Sequence, residues 1–140
     1  MRIILVFALG ILLGVPDARA QQNDVSITIA YRGSFTKCMD SAGGVTARMH
    51  QCMDQESQFW DKRLNAAYIA LMASDAHSAS AKAKLKDAQL AWIAFRDKGC
   101  LAAGDLAAEG GTLSGLTSAD CSLSLTAQRA AELEAIRRSN

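Results

Sequence analysis

Residues 45–73 read VTARMHQCMDQESQFWDKRLNAAYIALMA, residues 74–78 read SDAHS, and residues 79–100 read ASAKAKLKDAQLAWIAFRDKGC. In the first stretch Met49, Cys52, Met53, Trp60, Leu64, Ala67, Tyr68 and Leu71 recur at helical spacing. In the last, Leu85, Ala88, Trp92, Phe95 and Gly99-Cys100 form a second stripe. Two helices joined by so short a turn pack antiparallel, which matches their positions by height. With the turn centred near Ala76, Cys52 lies opposite Cys100, Trp60 opposite Trp92, and Glu56 opposite Arg96. This register predicts a Cys52–Cys100 disulfide and, by elimination, Cys38–Cys121. Sequential pairing, Cys38–Cys52 with Cys100–Cys121, is the alternative, because all four cysteines fall at one end of the hairpin.

Upstream, Ser41-Ala-Gly-Gly44 breaks the pattern and Thr46 offers an N-cap. Residues 21–37 are polar and then alternate β-branched with small residues; without a second strand signal they are expected to form an extended arm. Downstream, Gly104, Gly110, Gly111 and Gly115 mark a loop over 101–116. Thr117-Ser-Ala-Asp120 has capping-box spacing with Asp in the acidic position, and opens a third helix that carries Thr126, Arg129, Leu133 and Ile136 on one face. The expected fold is all-α, a small disulfide-bonded three-helix bundle built on a long antiparallel hairpin, with its domain over 38–140.

Residues 1–20 differ in kind. One early cation, a 13-residue apolar run from Ile3 to Val15, and Ala18-Arg-Ala20 read as a cleaved signal peptide. The run is short for a membrane span, so no stable membrane anchor is expected after cleavage, and no cysteine follows directly to take a lipid. Without Arg2, Arg19 and Asp17, the 15 basic and 14 acidic residues become 13 of each. A chain of zero net charge has no dominant basic face for nucleic acid. At 120 residues it should form one domain with one modest core.

An even cysteine count in an exported chain reads as two disulfides, in a periplasmic or secreted bacterial protein. Zinc is disfavoured, because the intervals between cysteines are 13, 47 and 20 residues, with only His50 and His77 besides. No cofactor is expected.

Six polar residues fall on or beside the apolar stripes: Glu56, Asp61, Asn65, Gln89, Arg96 and Arg129. A catalytic reading makes Glu56, with Asp61, a general acid or base. An opposed Arg96 would hold Glu56 ionised instead, and neither a nucleophile nor a catalytic His stands nearby, so a structural polar network is expected and an enzyme is not. Asn65 and Gln89 are expected to hydrogen-bond between helices. The aromatics at helical spacing are core, and Lys82, Lys84, Lys86 and Asp87 are a solvated face.

Cys38, Thr46-Ala-Arg-Met-His-Gln-Cys52, Glu56, Trp60-Asp61, Leu64-Asn65 and Tyr68 form the first half of a longer pattern. Ala88-Gln89, Ala91-Trp92-Ile93, Phe95-Arg96-Asp97, Cys100, Cys121, Thr126, Arg129-Ala130 and Glu132-Leu133 complete it. Over residues 38–133 this pattern resembles the LprI-like lysozyme inhibitor domain of secreted bacterial proteins. The resemblance implies a small disulfide-bonded helical bundle that binds a protein partner, lysozyme, whose muramidase cleft it would block. The family takes its name from a lipoprotein, from which this chain departs in having no lipid-attachment cysteine. The shared positions are fold residues, so the binding surface has to be sought elsewhere. The turn Ser74, Asp75, His77 and Ser78 offers hydroxyls and an imidazole to the carboxylates of such a cleft. The other class of function is an envelope accessory or immunity-type interaction protein without lysozyme-inhibiting activity.

Overall fold

The computed structural model describes residues 29–139. The signal-like segment and residues 21–28 of the arm lie outside the described residues. These are four helices: α1 (Gly33–Ala42), α2 (Thr46–Ala73), α3 (Ala79–Ala107) and α4 (Gly111–Arg138). The fold is an all-α, disulfide-bonded bundle, as expected, with one helix more than the three expected. Residues 33–37, read as the end of an extended arm, begin α1.

The long hairpin exists, but its two helices hardly touch. α4 packs against α2 on one side and α3 on the other, and α1 packs on α2. Along α2 and α4 the contacts advance together: a Cβ on Gly115 would meet His50 Nε2 at 3.3 Å, and farther on Arg63 pairs with Glu134. Along α3 and α4 they run in opposite senses, from Cys100–Cys121 through Arg96–Thr126 to Gln89–Arg129. Hence α2 and α4 are parallel, and α3 runs antiparallel to both.

That arrangement corrects the cysteine pairing. The disulfides are Cys38–Cys52 and Cys100–Cys121, the sequential alternative. Matching heights along the hairpin says nothing about facing: Cys52 is turned toward α1 and Cys100 toward α4. One staple holds α1 to α2, the other α3 to α4.

The expected loop over 101–116 is mostly helix. The turn proper is residues 108–110, with Gly110 and Gly111 both at φ +84°, a backbone conformation that side chains disfavour. Gly104 serves close approach instead: a Cβ there would stand 2.6 Å from the Ser114 carbonyl oxygen and closer still to Ser118 Oγ. Thr117–Asp120 therefore lies inside α4 and caps nothing. Thr46 is the first residue of α2 rather than its cap, which is Val45. Ser78 does cap, its Oγ accepting from Ala81 N at 3.2 Å at the start of α3.

The core joins Trp60, Leu64, Ala67 and Leu71 of α2 to Leu123, Ala127, Ala130 and Leu133 of α4. All four α2 residues belong to the apolar stripe read from the sequence. α3 contributes little to it. Its buried residues are Gln89, Cys100 and Gly104, and Phe95, expected on its inner stripe, is 64% exposed.

Candidate interaction surfaces

The polar residues singled out by sequence divide between three places. Glu56 is fully buried near the base of α2, and three donors reach its carboxylate. Arg32 N donates to Oε1 at 3.1 Å, Arg32 Nε to Oε2 at 2.7 Å, and Trp60 Nε1 to Oε1 at 2.9 Å. Arg32 Nη2 also donates to the Gln55 carbonyl at 3.0 Å, and its guanidinium lies 4.4 Å from the Phe59 ring centre. The partner of Glu56 is thus Arg32, not Arg96, which bonds Thr126 of α4 and its neighbour Asp97 instead. So engaged, Glu56 anchors the segment that leads into α1 and offers no free face to a substrate. Arg32 escaped the sequence reading because it lies 24 residues from Glu56 with no periodicity to connect them. Beside it, burial pushes the Tyr31 phenol above its ordinary pKa, with a hydrogen bond to Ser124 acting the other way.

The second place is a groove between α2 and α3. Asp61, Asn65, Tyr68, Gln89, Trp92 and Arg96 are among the residues lining a cavity of about 250 Å³. A second, of similar size, continues past Asp61 and Arg96 toward Ser57 and Thr126. Asn65 does not bond across to Gln89; its Nδ2 donates to Asp61 Oδ2 at 3.0 Å, one turn back on the same helix. Gln89 Oε1 instead accepts from Arg129 Nε at 3.0 Å, and Arg129 Nη1 reaches Glu132 at 3.0 Å. Arg96 donates to Thr126 Oγ1 at 3.2 Å and to Asp97 at 2.9 Å, with its guanidinium 5.1 Å from the Trp92 ring centre. The six residues therefore make separate contacts rather than one network.

The third place is the tip of the hairpin. Ser74 Oγ accepts from Ala76 N at 3.2 Å, so Ser74 and Ser78 both use their oxygens to shape the turn. Asp75 is exposed. His77 is half-buried over an apolar cavity of about 170 Å³ lined by Leu71, Leu85 and Ile136, among others. Among the described residues no group of three or more His, Cys, Asp or Glu is arranged to hold a metal, and no helix is long and apolar enough to cross a membrane.

A second charge pair ties the two core helices together outside these places. Arg63 donates from Nε to Glu134 Oε1 at 2.8 Å and from Nη2 to Oε2, and lies over the Trp60 ring at 4.5 Å. The hydrogen bond from Arg63 holds the Glu134 carboxyl below its ordinary pKa, against burial, which acts upward.

The chain is 35% identical over 99 residues to an uncharacterized protein of Rhizobium meliloti (strain 1021), a match that covers 63% of this chain and 70% of that one. No solved structure matches it. The profile of the family described as "Lysozyme inhibitor LprI" matches residues 38–133, from the first cysteine to the last large core leucine of α4. The chain belongs to the LprI lysozyme inhibitor family.

Proposed function

We propose that this protein is a secreted or periplasmic inhibitor of lysozyme that acts by covering the muramidase cleft. The family match over the whole disulfide-bonded bundle carries this reading. The two disulfides fit an oxidising compartment. Glu56, the one fully buried carboxylate among the candidate site residues, is occupied by three donors, which favours binding over catalysis. A lysozyme cleft holds two carboxylates; in this reading His77 and the hydroxyls of Ser74 and Ser78 in the turn donate to them.

The test is an assay of c-type and g-type lysozymes against oxidised protein lacking residues 1–20, with a reduced sample alongside. Inhibition by the oxidised form, lost on reduction, is the expected result; unchanged turnover of every lysozyme at several-fold excess would reject the reading. The exposed Leu90, Phe95, Leu101 and Leu106 of α3 favour a second one, an envelope accessory or immunity-type protein that docks a helical partner. Capture of an envelope protein, with no effect on any lysozyme, would select it.

A further inference from the structure

α3 is built the wrong way round for a surface helix. Its buried residues are Gln89, Cys100 and Gly104, one polar and two small, while Leu90 is 58% exposed and Leu101 64%. A helix that keeps large apolar side chains in water, and small or polar ones against its own bundle, has an outer face to cover. Leu90 and Leu101 stand 11 residues apart, about three turns, and so share one side of the helix. The exposed Ala94 and Asp97 fall between them at steps of four, three and four, the spacing of a seam between two helices. Phe95 and Leu106 lie on another side.

The charges of this segment are ordered along it. Lys82, Lys84 and Lys86 stand near the start of α3; Asp105 stands near its end and Glu109 just beyond it. Lys84, Lys86, Asp105 and Glu109 are exposed, and none of them forms an ion pair among the described residues. A second α3 laid alongside in the same direction would put lysine on lysine. Laid in the opposite direction, about a twofold axis between residues 95 and 96, it puts Leu90 on Leu101 of the other copy and Leu101 on its Leu90. The same register sets Lys84 and Lys86 beside the other copy's Asp105 and Glu109, at both ends of the contact. Ala94 at the centre lets the backbones approach, and Asp97 keeps its own counter-ion, Arg96 Nη2 at 2.8 Å.

We propose that this face of α3 binds a second copy of the chain, forming a twofold dimer through an antiparallel α3–α3 seam. A contact of one surface with itself explains why a single face carries both halves of its own complement. The inference does not rest on the inhibitor reading, and it takes for the dimer the Leu90 and Leu101 that the second reading gives to a helical partner. One helix pair is a small interface, so the dimer should be reversible and should weaken as salt screens its end pairs.

The experiment is sedimentation velocity on the oxidised protein lacking residues 1–20, from micromolar to millimolar concentration. The expected result is a monomer–dimer equilibrium. Leu101→Asp, at an exposed position, should raise the dimer dissociation constant at least tenfold with an unchanged melting temperature. Lys84→Glu with Lys86→Glu should weaken self-association, and so should Asp105→Lys with Glu109→Lys. Mixed in equal amounts, these two variants should dimerise again, because every end contact then joins opposite charges. Asp105 also accepts from Ser114 Oγ at 3.3 Å, so the melting temperature is read on each variant, and Glu109→Lys alone replaces the second pair if it falls. A protein that is monomeric throughout overturns the proposal and leaves the face to the partner of the second reading. A dimer that Leu101→Asp leaves intact, or charge variants that stay monomeric when mixed, overturns it as well.

Discussion

α4 has two neighbours, and they are held by different physics. Against α2 it buries a dry cluster of Trp60, Leu64 and Leu71 with Leu123 and Leu133. Against α3 it makes polar and covalent contacts: the Cys100–Cys121 disulfide, Arg129 to Gln89, Arg96 to Thr126, and Ser114 to Asp105 at 3.3 Å. Apolar burial scales with area and resists local opening, while polar contacts at a part-exposed seam contribute about 1 kcal/mol each. The α2–α4 half should therefore set global stability, and α3 should be the part of the molecule that opens first and presents its surface.

The sharpest way to break this comparison is a pair of truncations. Leu133→Ala, at a fully buried position, should cost about 2–5 kcal/mol in denaturant unfolding, and Phe95→Ala on α3 no more than about 0.5 kcal/mol. Equal losses would mean that α3 is as much core as α2. Next in size, replacing Cys100 and Cys121 by serine opens a link of sequence separation 21, with a chain-entropy cost of about 3 kcal/mol. Amide exchange should then rise along α3 well before it rises along α2; uniform exchange would dissolve the distinction. Gly104→Ala, which sets a methyl against the Ser114 carbonyl, should cost about 1–3 kcal/mol and show its chemical-shift changes at the α3–α4 crossing.

The smallest effect lies on the α2–α4 side. Glu134 has a lowered pKa because Arg63 bonds its ionised form, so the contribution is present above the ordinary carboxylate pKa and is lost as pH falls through the lowered value. Arg63 is 39% exposed, which limits the pair to about 1 kcal/mol or less. Glu134→Gln should therefore lower the melting temperature slightly at neutral pH, and the gap should close in acid; a gap that persists there would assign the loss to packing.

The same division explains what was legible in the sequence. α2 turns one wide apolar face to α4, so its spacing named the core residues Trp60, Leu64, Ala67 and Leu71 correctly. α3 has a narrow inner face built from a glutamine, a cysteine and a glycine, and a rule that looks for large apolar residues put Phe95 inside. The 101–116 segment misled because glycine has two uses. Gly110 and Gly111 make the turn, while Gly104 and Gly115 let helices touch, and composition cannot separate these. Glu56 was rightly suspected of burial, but its partner came from a segment read as an arm. Among the candidate site residues, Asn65 and Gln89 were expected to bond between helices; they line one cavity, but each bonds elsewhere, Asn65 to Asp61 and Gln89 to Arg129.

Each disulfide joins cysteines that are neighbours in the chain, 38 with 52 and 100 with 121, and neither loop encloses the other. In a polypeptide that emerges N-terminus first into an oxidising space, an oxidant that couples each new thiol to the one just before it produces the native pattern directly. The first link can close while the second pair is still to come. By its connectivity, this chain can be oxidised in order of arrival, without a proofreading isomerase.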